Sequence, residues 1–103
     1  MSNSPQSLTD LDRVIHEPAR LTLVALLSSV ESADFLFLLM ESGLTKGNLS
    51  MHLTRLEEAR YLQAEKTFRG KVPHTEYRLT AKGKAAFDQY RKNLSSIFDE
   101  KKA

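Results

Sequence analysis

Apolar residues recur along this chain with several distinct rhythms, and the rhythms predict its elements. Residues 1–7 are polar and are expected to be disordered. Leu8–Ile15 can form a short helix with Thr9 or Asp10 as its N-cap. Pro18 suits the first turn of a second helix, where its missing N–H costs nothing. From Ala19 to Ser29 that helix carries Leu21, Leu23, Val24, Ala25, Leu26 and Leu27. Apolar nearly all round, it should be buried on several sides. Ser32 or Asp34 then caps Phe35–Ser42, and Gly43 ends it. Its six-residue run Phe35–Met40 also fits a strand by periodicity, but the cap before it and the glycine after it favour a helix. Leu44 lies in a short turn, Thr45 caps a third helix to about Ala59, and Leu49, Leu53 and Leu56 form one narrow apolar stripe on it. Leu62–Phe68 and His74–Leu79 alternate as strands around Gly70, and Pro73 fits a strand start at an edge. Thr80 caps a last helix whose residues Ala86, Phe87, Tyr90, Leu94, Ile97 and Phe98 follow the spacing of a single stripe.

The order helix, helix, helix, strand, strand, helix is a winged helix-turn-helix topology. It is mostly α with a small β-hairpin, a three-helix core plus wing, and extra helices at both ends. At 103 residues the chain fits a single domain, here residues 8–103, with 81–103 a C-terminal helix available for dimerisation. A hydrophobic content of 41% supports one modest core. The absence of cysteine excludes disulfides and thiolate metal sites. Neither a signal-peptide pattern nor an apolar stretch near the ~20 residues of a membrane span is seen, so a cytoplasmic protein without membrane contact is expected.

Charge changes the picture more than composition does. The net +2 conceals an asymmetry. Residues 1–42 hold two arginines against six acidic side chains, a net −4, whereas residues 43–84 hold nine basic against four acidic, a net +5. Positive charge concentrated on one segment is the footprint of a polyanion site.

The block Gly43–Ala59, Gly-Leu-Thr-Lys-Gly-Asn-Leu-Ser-Met-His-Leu-Thr-Arg-Leu-Glu-Glu-Ala, resembles the recognition helix of winged-helix transcriptional regulators. With the wing Lys66–Thr75 and the run Tyr77-Arg78-Leu79-Thr80-Ala81-Lys82-Gly83, it is similar to the small stand-alone regulators of bacteria and archaea related to the MarR and ArsR families. The resemblance covers about residues 12 to 94. It implies a homodimer that binds operator DNA and regulates transcription. Two departures stand out: Arg60 replaces a glycine at a helix end where φ is often positive, and His74 replaces a wing arginine.

The exposed face of the third helix supplies the side chains that read bases. Asn48 suits adenine, Arg55 suits guanine and Met51 suits a thymine methyl, with Ser50 and His52 as further donors. Thr45 and Lys46 at the helix start, and Arg69, Lys71 and His74 on the wing, are phosphate candidates. The dimer interface is expected from Leu11, Val14 and Ile15 with Phe87, Tyr90, Leu94, Ile97 and Phe98. Tyr77, alternating with Leu79, belongs to the core. No nucleophile elbow, phosphate-binding loop or metal-ligand spacing is present, and His16, His52 and His74 lie on different elements. No enzyme, cofactor or metal is therefore expected. The function expected is sequence-specific binding of double-stranded DNA at an inverted repeat, most simply repression by operator occupancy. The alternative is a winged helix that docks proteins without touching DNA.

Overall fold

The protein is described by a computed structural model covering residues 10–99. Its elements are α1 (Pro18–Ser28), β1 (Ala33–Asp34), α2 (Phe35–Ser42), α3 (Lys46–Glu58), β2 (Leu62–Arg69), β3 (Val72–Leu79) and α4 (Ala81–Phe98). The strands form one antiparallel sheet in the order β1-β3-β2. This is the winged-helix topology, with one strand more than the hydrophobic pattern predicts. β1 is two residues long, too short to show a period.

Each helix begins at a side chain that accepts an otherwise orphaned N–H. Glu17 caps α1 by accepting from Arg20 N–H, Asp34 caps α2 by accepting from Phe37, Thr45 caps α3 by accepting from Asn48, and Thr80 caps α4 by accepting from Gly83. Gly43 ends α2 in the left-handed conformation, φ 72°, as a C-terminal glycine does without a Cβ penalty.

The helix expected at Leu8–Ile15 is corrected. Leu8 and Thr9 lie outside the described residues, and Leu11–Glu17 is a turn rather than a helix. Asp12 organises it: one carboxylate oxygen accepts from Val14 N–H at 2.8 Å and from Ile15 N–H at 3.1 Å, and the other accepts from the Tyr61 hydroxyl. A short acidic side chain that captures nearby N–H groups competes with helix formation. Pro18 also holds Glu17 extended, at φ −155° and ψ 129°.

The main core gathers Leu23, Val24 and Leu27 of α1, Leu38 of α2, Leu49, Leu53 and Leu56 of α3, and Leu62 and Leu79 of the sheet. Leu11, Ile15 and Tyr90 form a second cluster, flanked by Leu21, Tyr61, Phe87, Leu94 and Ile97. The N-terminal turn and α4 thus cover each other within one chain. The α1 helix is less enclosed than its composition suggests, since Ala25 is exposed. Half of α2 is also open, with Leu36 62% and Met40 72% exposed. Among the described residues no helix is long and apolar enough to cross a membrane.

Candidate nucleic-acid interface

The α3 helix divides cleanly into two faces. Leu49, Leu53 and Leu56 enter the core, while Lys46, Asn48, Ser50, Met51, Thr54 and Arg55 are exposed. Arg55 makes no ion pair among the described residues, and Met51 is 45% exposed, outside the core. Thr45 spends its hydroxyl on the cap, where Oγ1 accepts from Asn48 N–H at 3.2 Å. The helix therefore presents amide, hydroxyl, thioether and guanidinium groups from one side, a donor and acceptor set that matches base edges in a major groove.

His52 is placed elsewhere than expected. It is 8% exposed and faces Arg20 of α1, whose Nη1 lies 3.1 Å from His52 Nδ1. An arginine only donates, so this imidazole nitrogen accepts. Arg20 Nε also donates to the Val14 carbonyl at 2.6 Å, and Glu17 lies 3.9 Å from the same His52 nitrogen. The cause is helical spacing: His52 stands three residues after Leu49 and four before Leu56, on the core stripe.

The wing is a two-residue hairpin. Gly70, at φ 65°, and Lys71 make the turn between Arg69 and Val72, which pair across it. Glycine at the first central position is the requirement of a type II′ turn. The strands run one residue beyond Phe68 and two residues before His74, longer than their alternation predicts. Arg69 is 71% exposed and, among the described residues, pairs with Glu76 alone, at 3.8 Å, and Lys71 is open to solvent. Phe68 and Val72, 71% and 65% exposed, flank the same turn.

His74 is not free on the wing surface as expected. Its side chain is 15% exposed, and Nε2 lies 2.6 Å from Glu76 Oε2. That bond, helped by a 2.8 Å hydrogen bond donated by the Ser32 hydroxyl, holds the Glu76 carboxyl below its ordinary value. The pairing arises because His74 and Glu76 share one face of β3, and Ser32, just before β1, lies beside Glu76. Tyr77 packs against the main core, as its alternation predicts.

Of the residues expected at a dimer interface, Leu11, Ile15 and Tyr90 are 3%, 0% and 3% exposed within the single chain. They form its second core cluster and have no surface left to offer. Val14, Phe87, Leu94 and Ile97 are half-buried, and Phe98 is 73% exposed. His16 Nδ1 hydrogen-bonds with the Tyr90 hydroxyl at 2.8 Å, fixing the turn to α4.

Two positions explain the run after α3. Arg60 has φ 66°, the one non-glycine residue at positive φ among those described. It occupies the left-handed C-terminal position that the resemblance assigns to glycine. Gly83 is buried, and a Cβ there would lie 2.2 Å from the Tyr61 carbonyl oxygen. The Leu-Thr-x-x-Gly pattern thus records the close approach of α4 to the start of the wing.

Comparison with known proteins agrees with this geometry. A family model described as a winged helix DNA-binding domain matches residues 19–98. An uncharacterised protein of Methanocaldococcus jannaschii is 34% identical over 79 residues, 76% of this chain and 85% of that protein. The structure of a transcriptional regulator homologue from Pyrococcus horikoshii OT3 superposes with a TM-score of 0.81 at 24% identity, covering 86% of this chain and 88% of that one. A MarR-family regulator from Enterococcus faecalis V583 gives 0.72 at 22% identity, covering 98% and 97%. At those identities the two structures establish a shared fold. The family match extends over most of the chain, and the chain belongs to the winged helix DNA-binding domains, a family of binding modules rather than enzymes.

Proposed function

We propose that the protein is a transcriptional regulator that binds double-stranded DNA sequence-specifically as a homodimer, and that it represses by occupying an inverted-repeat operator. The observation that carries this reading is the exposed face of α3. Asn48, Ser50, Met51 and Arg55 stand free of the core and of ion pairs among the described residues, behind a capped helix start bearing Lys46. A face kept polar and unpartnered beside a cationic hairpin suits groove entry, with base edges read by α3 and phosphates held by Lys46, Arg69 and Lys71. Dimerisation through the distal part of α4 would set two such faces about 34 Å apart, one turn of the duplex.

Selection of bound sequences from a random duplex pool tests activity, specificity and half-site symmetry together. An enriched inverted repeat is expected. Arg55→Ala should then relax preference at one base pair in each half-site, by about 1–3 kcal/mol. Arg69→Ala with Lys71→Ala should weaken all sequences alike and reduce the slope of log K against log salt by about 2 per chain. A protein that shows no salt-dependent retention on duplex DNA or heparin is a docking module instead.

A further inference from the structure

The root of the wing gathers three metal-binding side chains that base and phosphate contact leave unused. Asp34 on β1 stands directly opposite Glu76 on β3, and His74 precedes Glu76 by two residues on the same face. One ligand atom from each lies within 4.8 Å of the other two, and all three side chains are partly buried. A cavity of about 220 Å³ opens against Asp34 and Glu76.

The two carboxylates are oriented from behind. One Asp34 oxygen accepts from Phe37 N–H at 2.8 Å and one Glu76 oxygen accepts from the Ser32 hydroxyl at 2.8 Å. Asp34 therefore keeps its second oxygen for another partner, and the second Glu76 oxygen is the one that meets His74 Nε2 at 2.6 Å, so outer contacts aim both acids as they aim metal ligands. Like charges facing each other across a strand pair repel, and a cation between them removes that cost.

We propose that Asp34, His74 and Glu76 form a binding site for a first-row divalent metal ion such as Zn²⁺. One imidazole with two carboxylates favours such an ion over Mg²⁺ and Ca²⁺, which prefer oxygen alone. Donors around a tetrahedral ion with bonds near 2.0–2.1 Å stand roughly 3.4 Å apart, so side-chain rotation closes the site without moving the sheet. The ion takes the place of the hydrogen between His74 Nε2 and Glu76: His74 binds as a neutral imidazole with its one proton on Nδ1, and any second proton passes to solvent. The cavity leaves room for water on the remaining coordination positions.

The site has a consequence for DNA, which rests on the function proposed above. Glu76 is also the carboxylate that Arg69 approaches at 3.8 Å. A metal ion that engages Glu76 frees Arg69 for phosphate and adds positive charge to the wing, so it strengthens DNA binding. By linkage, DNA strengthens metal binding by the same factor.

The test begins with chelator-treated full-length protein titrated with Co²⁺ and followed by the visible absorption of the bound ion, with Zn²⁺ as competitor. One saturable site per chain is expected. His74→Gln and Asp34→Asn should each weaken it at least about tenfold, while Asp88→Asn on α4 should leave it unchanged. Asparagine retains the cap of α2, and circular dichroism confirms that each variant is folded. Absence of saturable binding, or binding unaltered in both variants, overturns the site. Anisotropy of a labelled duplex then reads the coupling, with several-fold tighter binding expected in Zn²⁺ for the wild type and none of that gain in His74→Gln. A duplex that fails to bind with or without Zn²⁺ contradicts the regulator reading, while the Co²⁺ isotherm decides the metal site by itself.

Discussion

At the scale of single residues, Arg60 shows how a local rule is broken at a cost. A non-glycine residue in the left-handed region is disfavoured by about 1–2 kcal/mol, and Arg60 sits there because α3 must turn sharply into β2. Its N–H still donates to Glu57 O at 2.9 Å and its carbonyl accepts from the Thr80 hydroxyl at 2.7 Å, so the backbone is well bonded where it stands. Arg60→Gly should therefore stabilise the protein by about 0.5–1 kcal/mol, read as a rise in urea midpoint with unchanged slope. A second residue-scale prediction concerns the tyrosines. Burial, then the hydrogen bond to Asp12 and its charge, push Tyr61 up from 10.0 to about 12; burial is also the largest influence raising Tyr77 and Tyr90. Because the folded state holds these protons more tightly, their contribution to stability is intact below pH 10 and, for Tyr61, disappears as pH rises toward about 12. A phenolate absorption titration of the folded protein should show none of the three tyrosines ionising at the ordinary value. Part of this scale was legible beforehand. The caps at Asp34, Thr45 and Thr80 follow from residue type and position, and the anomaly at Arg60 was visible as a missing glycine. The position of His52 is encoded in its spacing from Leu49 and Leu56, which puts it on the core stripe, although its polarity points the opposite way.

At the scale of elements, the helices are readable from Pro18, the caps, the apolar runs and Gly43, whereas β1 offers no such signal. Its two residues become a strand only because β3 is there to pair with, a long-range fact that no local pattern carries. That omission propagates to chemistry. Without β1, Asp34 is merely a helix cap, and nothing places it opposite Glu76 or beside His74. The turn before α1 escapes the hydrophobic pattern for a related reason, since the Asp12 side chain replaces helical hydrogen bonds with its own. A close junction between elements lies where α4 passes Tyr61, between α3 and β2. Gly83 lies against the Tyr61 backbone, and Thr80 N–H donates to Tyr61 O at 3.0 Å. Backbone cannot yield as a flexible side chain can. Gly83→Ala should therefore destabilise by about 1–3 kcal/mol or more, despite alanine's better helix propensity. Equilibrium unfolding that shows Gly83→Ala as stable as wild type would mean that α4 shifts to accommodate the methyl group.

At the scale of the whole molecule, the distribution of apolar surface decides which residues remain for the proposed dimer. Leu11, Ile15 and Tyr90 are consumed by the chain's own second cluster, so the expected interface contracts to the far end of α4. There Leu94 and Ile97 are half-buried and Phe98 is largely open. In a two-fold pair every interface residue acts twice. Fully burying one leucine or phenylalanine side chain contributes about 1.5–3 kcal/mol, so losing Phe98 from both chains removes roughly 3–6 kcal/mol. At 1.4 kcal/mol per decade, that weakens association at least about a hundredfold. Phe98→Glu should accordingly convert a dimer to a monomer in sedimentation equilibrium at micromolar concentration, with the far-UV spectrum unchanged because the second cluster does not depend on Phe98. DNA binding should follow. The variant would lose the gain of two linked half-sites while keeping the base preference of one, since α3 and the wing are built within the single chain. If Phe98→Glu remains dimeric, the pairing surface lies elsewhere, and the open face of α2 at Leu36 and Met40 becomes the next place to substitute.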